Sequence, residues 1–216
     1  GQCVSCFVGS SPNDTRAVTA RSSVHAKERE VRKKLEKRFP DYNWIFDTTF
    51  AHRPFVVGVR TRCRPDARST QGDRVIIVEV DEHSHRTYEC AKERERERSF
   101  VLQNPSKTVV MIRFNPDAYT DYSGKRIPSC FTAAEKGNET VHVHPEQQAQ
   151  WKRRLAELER TIANLADPSF VLPPEQKDRP LLICELFYDN VNATAEDERV
   201  AAGLARGKAI GKKKRK

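Results

Sequence analysis

The segment that decides the fold is residues 64–85, which read RPDARSTQGDRVIIVEVDEHSH. Residues 75–78 are four branched apolar residues in a row, a pattern typical of a strand buried on both faces of a sheet. Buried carboxylates are costly unless a cation or a proton compensates them. The segment therefore predicts a strand that carries ionisable groups to the rim of a functional site. Those groups follow the apolar run directly and are Glu79, Asp81, Glu82, His83 and His85.

The residues before this strand predict an antiparallel hairpin. Residues 71–72, Gln and Gly, can form the tight turn, because glycine adopts the left-handed backbone conformation without a steric cost. That turn would place Asp66 opposite Ile77. The two-residue period of a strand puts Ile77 on the same face as Glu79 and Asp81. The three carboxylates are therefore expected to converge.

A rim formed by Asp66, Glu79 and Asp81 would suit a hard divalent cation such as Mg²⁺ or Mn²⁺, which prefers oxygen ligands. The alternative is a solvated strand end with scattered acids. Spacing alone leaves both interpretations open.

The order of several short motifs resembles that of the PD-(D/E)XK nuclease superfamily, in particular its very-short-patch-repair-like branch. It also resembles uncharacterised nuclease-like proteins of large DNA viruses and algae. The resemblance covers roughly residues 22–190. The matching segments are RPD at 64–66, VEVDE at 78–82, His85, YEC at 88–90, IRFNPD at 112–117, SCF at 129–131 and LFYD at 186–189.

This resemblance implies an α/β, restriction-endonuclease-like core, with a mixed central sheet of an antiparallel hairpin plus a parallel crossover, flanked by helices. It further implies a metal-dependent DNA endonuclease in which Asp66 and Glu79 bridge the metal. Glu28 on the first helix best matches the glutamate that such a helix often contributes, and His85 would shuttle protons. Glu28 is equally well explained as an exposed helix acid paired with a nearby base.

One position departs from the superfamily pattern. A lysine commonly stands two residues after the glutamate, and this chain has Asp81 there. The departure removes a cation that would stabilise the phosphate, which points to a second metal or to a base such as Lys92 or Arg96. Arg113 would either reach the site or brace it. The residues expected to contact nucleic acid are Arg64, Arg94, Arg96, Arg113, Lys212, Lys213, Lys214, Arg215 and Lys216.

Periodicity predicts helices over residues 24–38, 88–102 and 145–165. Strands are expected at 63–69, 74–81, 108–114 and 181–188, with 44–46 beginning the sheet. Residues 1–21 read as a flexible lead, 22–190 as the nuclease-like domain, and 191–216 as a disordered basic tail.

The net charge of +9 is concentrated at one end of the chain, because seven positive charges and no acid lie in residues 206–216. Such a tail favours DNA as a partner and resembles a nuclear import signal, whereas the alternative is a solubilising tail. No stretch approaches the ~20 apolar residues of a membrane span. We therefore expect an intracellular, nuclear protein, or a viral protein acting in a host cell, with its oligomeric state open and a dimer included.

Two of the six cysteines, Cys3 and Cys6, have the spacing of half a zinc site, and no second pair follows closely. A metal-free end of the chain is the alternative. The scattered remainder predicts reduced thiols. For the whole chain, the rival to a nuclease is a catalytically inactive nucleic-acid-binding or scaffold protein that retains the fold.

Overall fold

The computed structural model describes residues 15–50, 63–81, 90–132, 141–170 and 180–189. Side chains of the helical residues 15–25 and 90–92 are not described. The helices are α1 (Thr15–Arg38), α2 (Cys90–Gln103) and α3 (Gln148–Ala166), with short 3-10 turns at Pro40–Tyr42 and Pro145–Gln147. The strands are β1 (Ile45–Phe46), β2 (Ala67–Gln71), β3 (Arg74–Val80), β4 (Thr108–Phe114), β5 (Tyr119–Thr120), β6 (Arg126–Ile127) and β7 (Leu181–Leu186).

A five-stranded mixed sheet forms the centre of the fold, in the order β1-β2-β3-β4-β7. The β1–β2 and β2–β3 pairs are antiparallel, and the β3–β4 and β4–β7 pairs are parallel. A separate two-stranded hairpin joins β5 and β6. The prediction of an α/β fold with an antiparallel hairpin and a parallel crossover is thus confirmed.

The turn of the β2–β3 hairpin differs from the prediction. Arg68, not Asp66, lies opposite Ile77, and the last ladder pair joins Gln71 to Arg74. The turn residues are therefore 72–73, with Gly72 at φ 56°. Side chains also hold the end of the ladder, since the Gln71 amide donates a hydrogen bond to the Ser69 hydroxyl at 2.7 Å. The register shift is two residues, so every side chain keeps its predicted face.

Helices cover both faces of the sheet. On one face, Ile76, Val78 and Val80 join the core that α1 and α3 complete. On the other face, Val75 and Ile77 pack with Phe100 of α2. We call these the α1/α3 face and the α2 face. Because β3 is covered on both sides, all of its residues are buried, as its continuous apolar run predicted.

The first helix begins at Thr15 rather than at residue 24, so residues 15–21 are helical and do not belong to a flexible lead. Helix propensity explains the difference, since Ala17 and Ala20 favour helix, and Ser22 and Ser23 cost only a few tenths of a kcal/mol inside one. Among the described residues, no helix is long and apolar enough to cross a membrane. Cys63, Cys130 and Cys184 are buried free thiols.

Several predictions concern positions outside the described residues. They are the zinc half-site at Cys3 and Cys6, the rim histidine His85, and the basic tail with Lys212, Lys213, Lys214, Arg215 and Lys216.

Candidate functional site

Three acids lie where β3 ends. Glu79 and Asp81 are 2% and 1% exposed. By the alternation of the strand, Glu79 follows Ile77 on the α2 face. Asp66 lies one residue before β2, and its Oδ2 accepts a hydrogen bond of 2.7 Å from the Val80 amide. The Asp66 side chain thus provides an acceptor for β3 just beyond the β2–β3 ladder, which brings its carboxylate beside the end of the strand.

The carboxylate of Glu79 is only half satisfied. Its Oε2 accepts a hydrogen bond from Arg96 Nη2 at 2.5 Å, and the two groups form an ion pair. Its Oε1 is buried and has no hydrogen-bond partner within the part of the chain that the structure describes. An unsatisfied buried acceptor costs about 1–3 kcal/mol, and more when it is charged. Among the described residues, the site therefore holds a carboxylate oxygen that lacks a hydrogen-bond donor.

The charges of these acids oppose one another. Burial, followed by the charge of Glu28, raises the pKa of Asp66 to about 8. Burial, followed by the charges of Asp66 and Asp81, raises the pKa of Glu79 well above its ordinary value, against the opposing effect of Arg96. Acids that resist ionisation in a common site are the arrangement that a proton or a cation would stabilise.

Asp81 is held by groups from two neighbouring strands. Its Oδ2 accepts hydrogen bonds from Arg113 Nε of β4 and from the Tyr188 hydroxyl just after β7. Arg113 also forms a 3.0 Å ion pair with Glu93 of α2. Burial, followed by the charge of Asp81, raises the pKa of Tyr188 well above its ordinary value. Of the two roles predicted for Arg113, this contact set favours bracing, because its side chain is 9% exposed and engaged by two acids.

Tyr188 is a site residue that the sequence reasoning missed, although it lies in the LFYD motif. The backbone directs it toward Asp81, because Phe187 adopts a left-handed conformation at φ 65° and its carbonyl accepts a 2.8 Å hydrogen bond from the Asn115 side chain. A non-glycine residue at positive φ is strained, and such strain is maintained only where the surrounding contacts fix it. The spacing of apolar residues in the sequence does not predict this bend.

Glu28 and Asp66 line a common cleft between α1 and the hairpin, with a volume of about 230 Å³. Val31, Leu35 and Val78 provide its apolar lining, and Arg32 stacks over the Phe46 ring at 4.3 Å. Since the charge of Glu28 acts on Asp66, the two acids predicted for the site do lie near each other. The cleft therefore reaches Asp66, whereas Glu79 and Asp81 are not among its lining residues.

The predicted nucleic-acid contacts fall into three groups. Arg64 is exposed and pairs with Asp47 at 2.8 Å, and Arg94 is exposed on α2. Arg96 is 21% exposed at its side chain and bonds to Glu79. Arg113 is buried, as described above. Lys92 lies in α2, and its side chain is outside the described residues.

A metal site was predicted from Asp66, Glu79 and Asp81. Over residues 15–50, 63–81, 90–132, 141–170 and 180–189, no three His, Cys, Asp or Glu side chains are arranged to hold one ion. The unpartnered Oε1 of Glu79, its proximity to Asp66 and the all-oxygen donor set nevertheless fit a hard cation. Arg96 now provides the positive charge at Glu79, so an ion there would have to compete with it.

A second buried polar cluster, also missed from sequence, lies at the other side of α1. Lys27 Nζ bonds to both oxygens of Asp117 at 2.8 and 3.0 Å, and Ser129 donates to Asp117 at 3.0 Å. Arg154 donates to the carbonyls of Asn115 and Asp117 at 3.0 and 2.7 Å. These contacts tie α1 and α3 to the NPD and SCF motifs, which assigns the motifs a structural role.

Comparison of the chain with protein-family models, with curated proteins and with solved structures found no match.

Proposed function

We propose that the protein is a metal-dependent DNA endonuclease that hydrolyses phosphodiester bonds at the end of β3. The observation that carries this proposal is the buried Oε1 of Glu79, which lacks a donor within the described part of the chain and lies beside the carboxylate of Asp66. A carboxylate oxygen without a donor, among acids of raised pKa, favours a site built for a cation.

Each residue has a role that its contacts support. Asp66 and Glu79 would hold an Mg²⁺ or Mn²⁺ ion, and Glu28 would orient water from the cleft side. An ion held here would activate water and stabilise charge on the phosphate and on the leaving oxygen. Asp81 would act indirectly, because it is bonded to Arg113 and Tyr188. These assignments make Asp81 a positioning residue rather than a ligand.

A cleavage assay on supercoiled plasmid and on branched DNA tests the proposal. The wild-type chain should cleave in Mg²⁺ or Mn²⁺ and not with a chelator. Asp66→Ala should lower the rate by about two orders of magnitude or more, since ion-mediated stabilisation contributes several kcal/mol. The matched control is Asp73→Ala in the same hairpin, because the Asp73 side chain is 77% exposed, and it should cleave like wild type. No cleavage by any form would contradict the proposal.

The second candidate is a catalytically inactive nucleic-acid-binding or scaffold protein. It is favoured by two ion pairs at the end of β3. Glu79 already pairs with Arg96, and Asp81 already pairs with Arg113. Such pairs would stabilise the fold without an ion. DNA binding without metal-dependent cleavage would support this candidate.

Residues 206–216 supply a separate test of the DNA partner. Deleting them should weaken DNA binding and flatten its salt dependence, because each lost phosphate contact lowers the slope of log K against log salt by about 0.9. In cells, the deletion should reduce nuclear accumulation if the tail is an import signal. An unchanged slope would remove the tail from the DNA-binding surface.

A further inference from the structure

The guanidinium of Arg96 holds one oxygen of the Glu79 carboxylate, so its positive charge opposes the binding of a metal ion to the same carboxylate. Its Nη2 lies 2.5 Å from Glu79 Oε2, and its other polar contact, to the Arg64 carbonyl, is long at 3.5 Å. The negative charges of Glu79, Asp66, Glu93 and Asp81 all act on it. Arg96 is therefore the nearest cation that the described residues bring to the unsatisfied carboxylate.

Arg96 is held less firmly than Arg113, the other arginine of the site. Arg113 pairs with two carboxylates and its side chain is 9% exposed, whereas Arg96 pairs with one carboxylate and its side chain is 21% exposed. The backbone that carries Arg96 is fixed independently, because Phe100 is fully buried in the core of the α2 face and Glu93 pairs with Arg113. The Arg96 side chain can thus change partner while α2 stays in place.

We propose that Arg96 exchanges Glu79 for a phosphate of the substrate, so that DNA and the metal ion bind with positive coupling. This inference rests on the proposed function. A guanidinium binds carboxylate and phosphate with the same planar set of donors, so both partners satisfy it. When Arg96 moves to the phosphate, Glu79 and Asp66 lose their compensating charge and gain affinity for a divalent cation. The same residue would then supply the phosphate-binding cation that the sequence lacks at Asp81.

The exchange has a thermodynamic signature. DNA should tighten Mn²⁺ binding, and Mn²⁺ should tighten DNA binding by the same factor, because coupling between two ligands is reciprocal. Without Arg96, the ion no longer competes for Glu79, so Mn²⁺ should bind tightly whether or not DNA is present.

The experiment measures Mn²⁺ binding to the full chain by electron paramagnetic resonance of the free ion. It is done with and without an oligonucleotide duplex that has a single-stranded overhang and non-cleavable phosphorothioate linkages, and a DNA-only titration is subtracted. For wild type we expect DNA to tighten Mn²⁺ binding by about tenfold, within the usual range of ligand coupling. Arg96→Ala should bind Mn²⁺ about tenfold more tightly than wild type without DNA, and DNA should add little.

Two further variants keep the outcome interpretable. Arg98→Ala removes an exposed arginine from the same helix and should behave like wild type. Arg96→Gln retains a hydrogen-bond donor for Glu79 if the alanine variant does not fold, and it should shift Mn²⁺ affinity in the same direction. The proposal is overturned if both Arg96 variants bind Mn²⁺ no more tightly than wild type, or if DNA tightens Mn²⁺ binding equally in all forms.

Cleavage of DNA with natural linkages, measured on the same preparations, separates the two claims. If the wild-type protein cleaves DNA but shows no coupling that depends on Arg96, the endonuclease proposal stands and the proposed exchange of Arg96 is overturned. Coupling that depends on Arg96 without cleavage would support the exchange and contradict the endonuclease.

Discussion

Two buried acids in this fold, Asp117 and Glu79, differ in how they are satisfied. Asp117 is 4% exposed and Glu79 is 2% exposed. Both oxygens of Asp117 accept hydrogen bonds, from Lys27 and Ser129, whereas Glu79 has one bonded oxygen and one without a donor among the residues that the structure describes. The first carboxylate is complete within the chain. The second carboxylate needs a further donor, a proton or a cation at its other oxygen. That difference separates a structural cluster from a candidate functional one.

The comparison shows why burial of an acid is a poor guide to function when it is taken alone. Both clusters contain carboxylates, arginines and residues of the short motifs quoted from the sequence. Only the one at the end of β3 places several acids where their charges raise one another's pKa. The candidate functional site differs from the structural cluster in the number of hydrogen-bond donors available to each carboxylate oxygen.

Among single substitutions, the largest expected effect is on the cluster of Lys27, Asp117 and Ser129. Lys27→Met should lower the free energy of unfolding by about 3–5 kcal/mol, because it leaves the buried charge of Asp117 without its cation. Urea denaturation measures the change. Lys33→Met is the matched control on α1, since Lys33 is exposed and forms a surface pair with Glu30, and it should change stability by less than about 0.5 kcal/mol. A loss below about 1 kcal/mol for Lys27→Met would place the cluster among weak surface pairs.

A second effect concerns the pH dependence of stability and arises from Asp66, beside Glu79. Asp66 has an ordinary pKa of 3.8 and one of about 8 in the folded protein. Between those values the folded chain holds a proton that the unfolded chain has lost, so metal-free stability should fall as pH rises and level off above about 8. One such proton corresponds to a slope of up to about 1.4 kcal/mol per pH unit.

Thermal or urea unfolding at a series of pH values measures this slope. Asp66→Asn should flatten it, because the amide does not titrate, whereas Asp73→Asn in the exposed turn should leave it unchanged. Stability that rises with pH over the same window in the wild-type chain would contradict the raised pKa of Asp66.

Replacing Glu79 by glutamine sharpens the comparison further. If Glu79 is a ligand, Glu79→Gln should abolish cleavage, keep or tighten DNA binding, and raise metal-free stability by about 1 kcal/mol, since a buried acid of raised pKa is removed. If Glu79 is a structural partner of Arg96, the same change should lower stability by about 1–3 kcal/mol. The sign of the metal-free melting shift, read beside the cleavage assay, decides between them.

The smallest expected effect is at Tyr188. Tyr188→Phe removes one hydrogen bond to Asp81 and leaves Arg113 in place, so stability should fall by about 0.5–1.5 kcal/mol. If the proposed roles are right, cleavage should decrease modestly, because Asp81 would position other groups and would not bind the ion. Complete loss of cleavage with unchanged stability would instead place the Tyr188 hydroxyl in the chemistry.

Local pattern predicted much of this fold. The apolar runs fixed β3 and β4, and β4 has the predicted bounds of residues 108–114. The helix expected from residue 145 is present, with its first turn in 3-10 form. Short-range periodicity succeeds here because each of these elements buries a continuous or evenly spaced apolar face.

The contacts that define the site were less accessible from sequence. Lys27 and Asp117 are 90 positions apart, and Tyr188 and Asp81 are 107 positions apart. Such pairs depend on how strands and helices are assembled, and no local period encodes them. The hairpin register was wrong by two residues because the turn forms at residues 72–73, with Gly72 at positive φ as its first residue and not its second. The nuclease relationship itself stays a prediction.

Lys27 and Glu28 are adjacent on α1, so the rotation of α1 about its own axis determines where Glu28 points relative to the candidate site. Successive residues of an α-helix point about 100° apart, so fixing Lys27 on Asp117 also sets the direction of Glu28 toward the cleft. Ala26, just before Lys27, is also buried in the core, so the anchor includes both residues. One residue inserted between Glu28 and Val31 would rotate Leu35 and Phe39 out of the core by the same angle. The length of α1 between Lys27 and Phe39 is therefore fixed to the single residue.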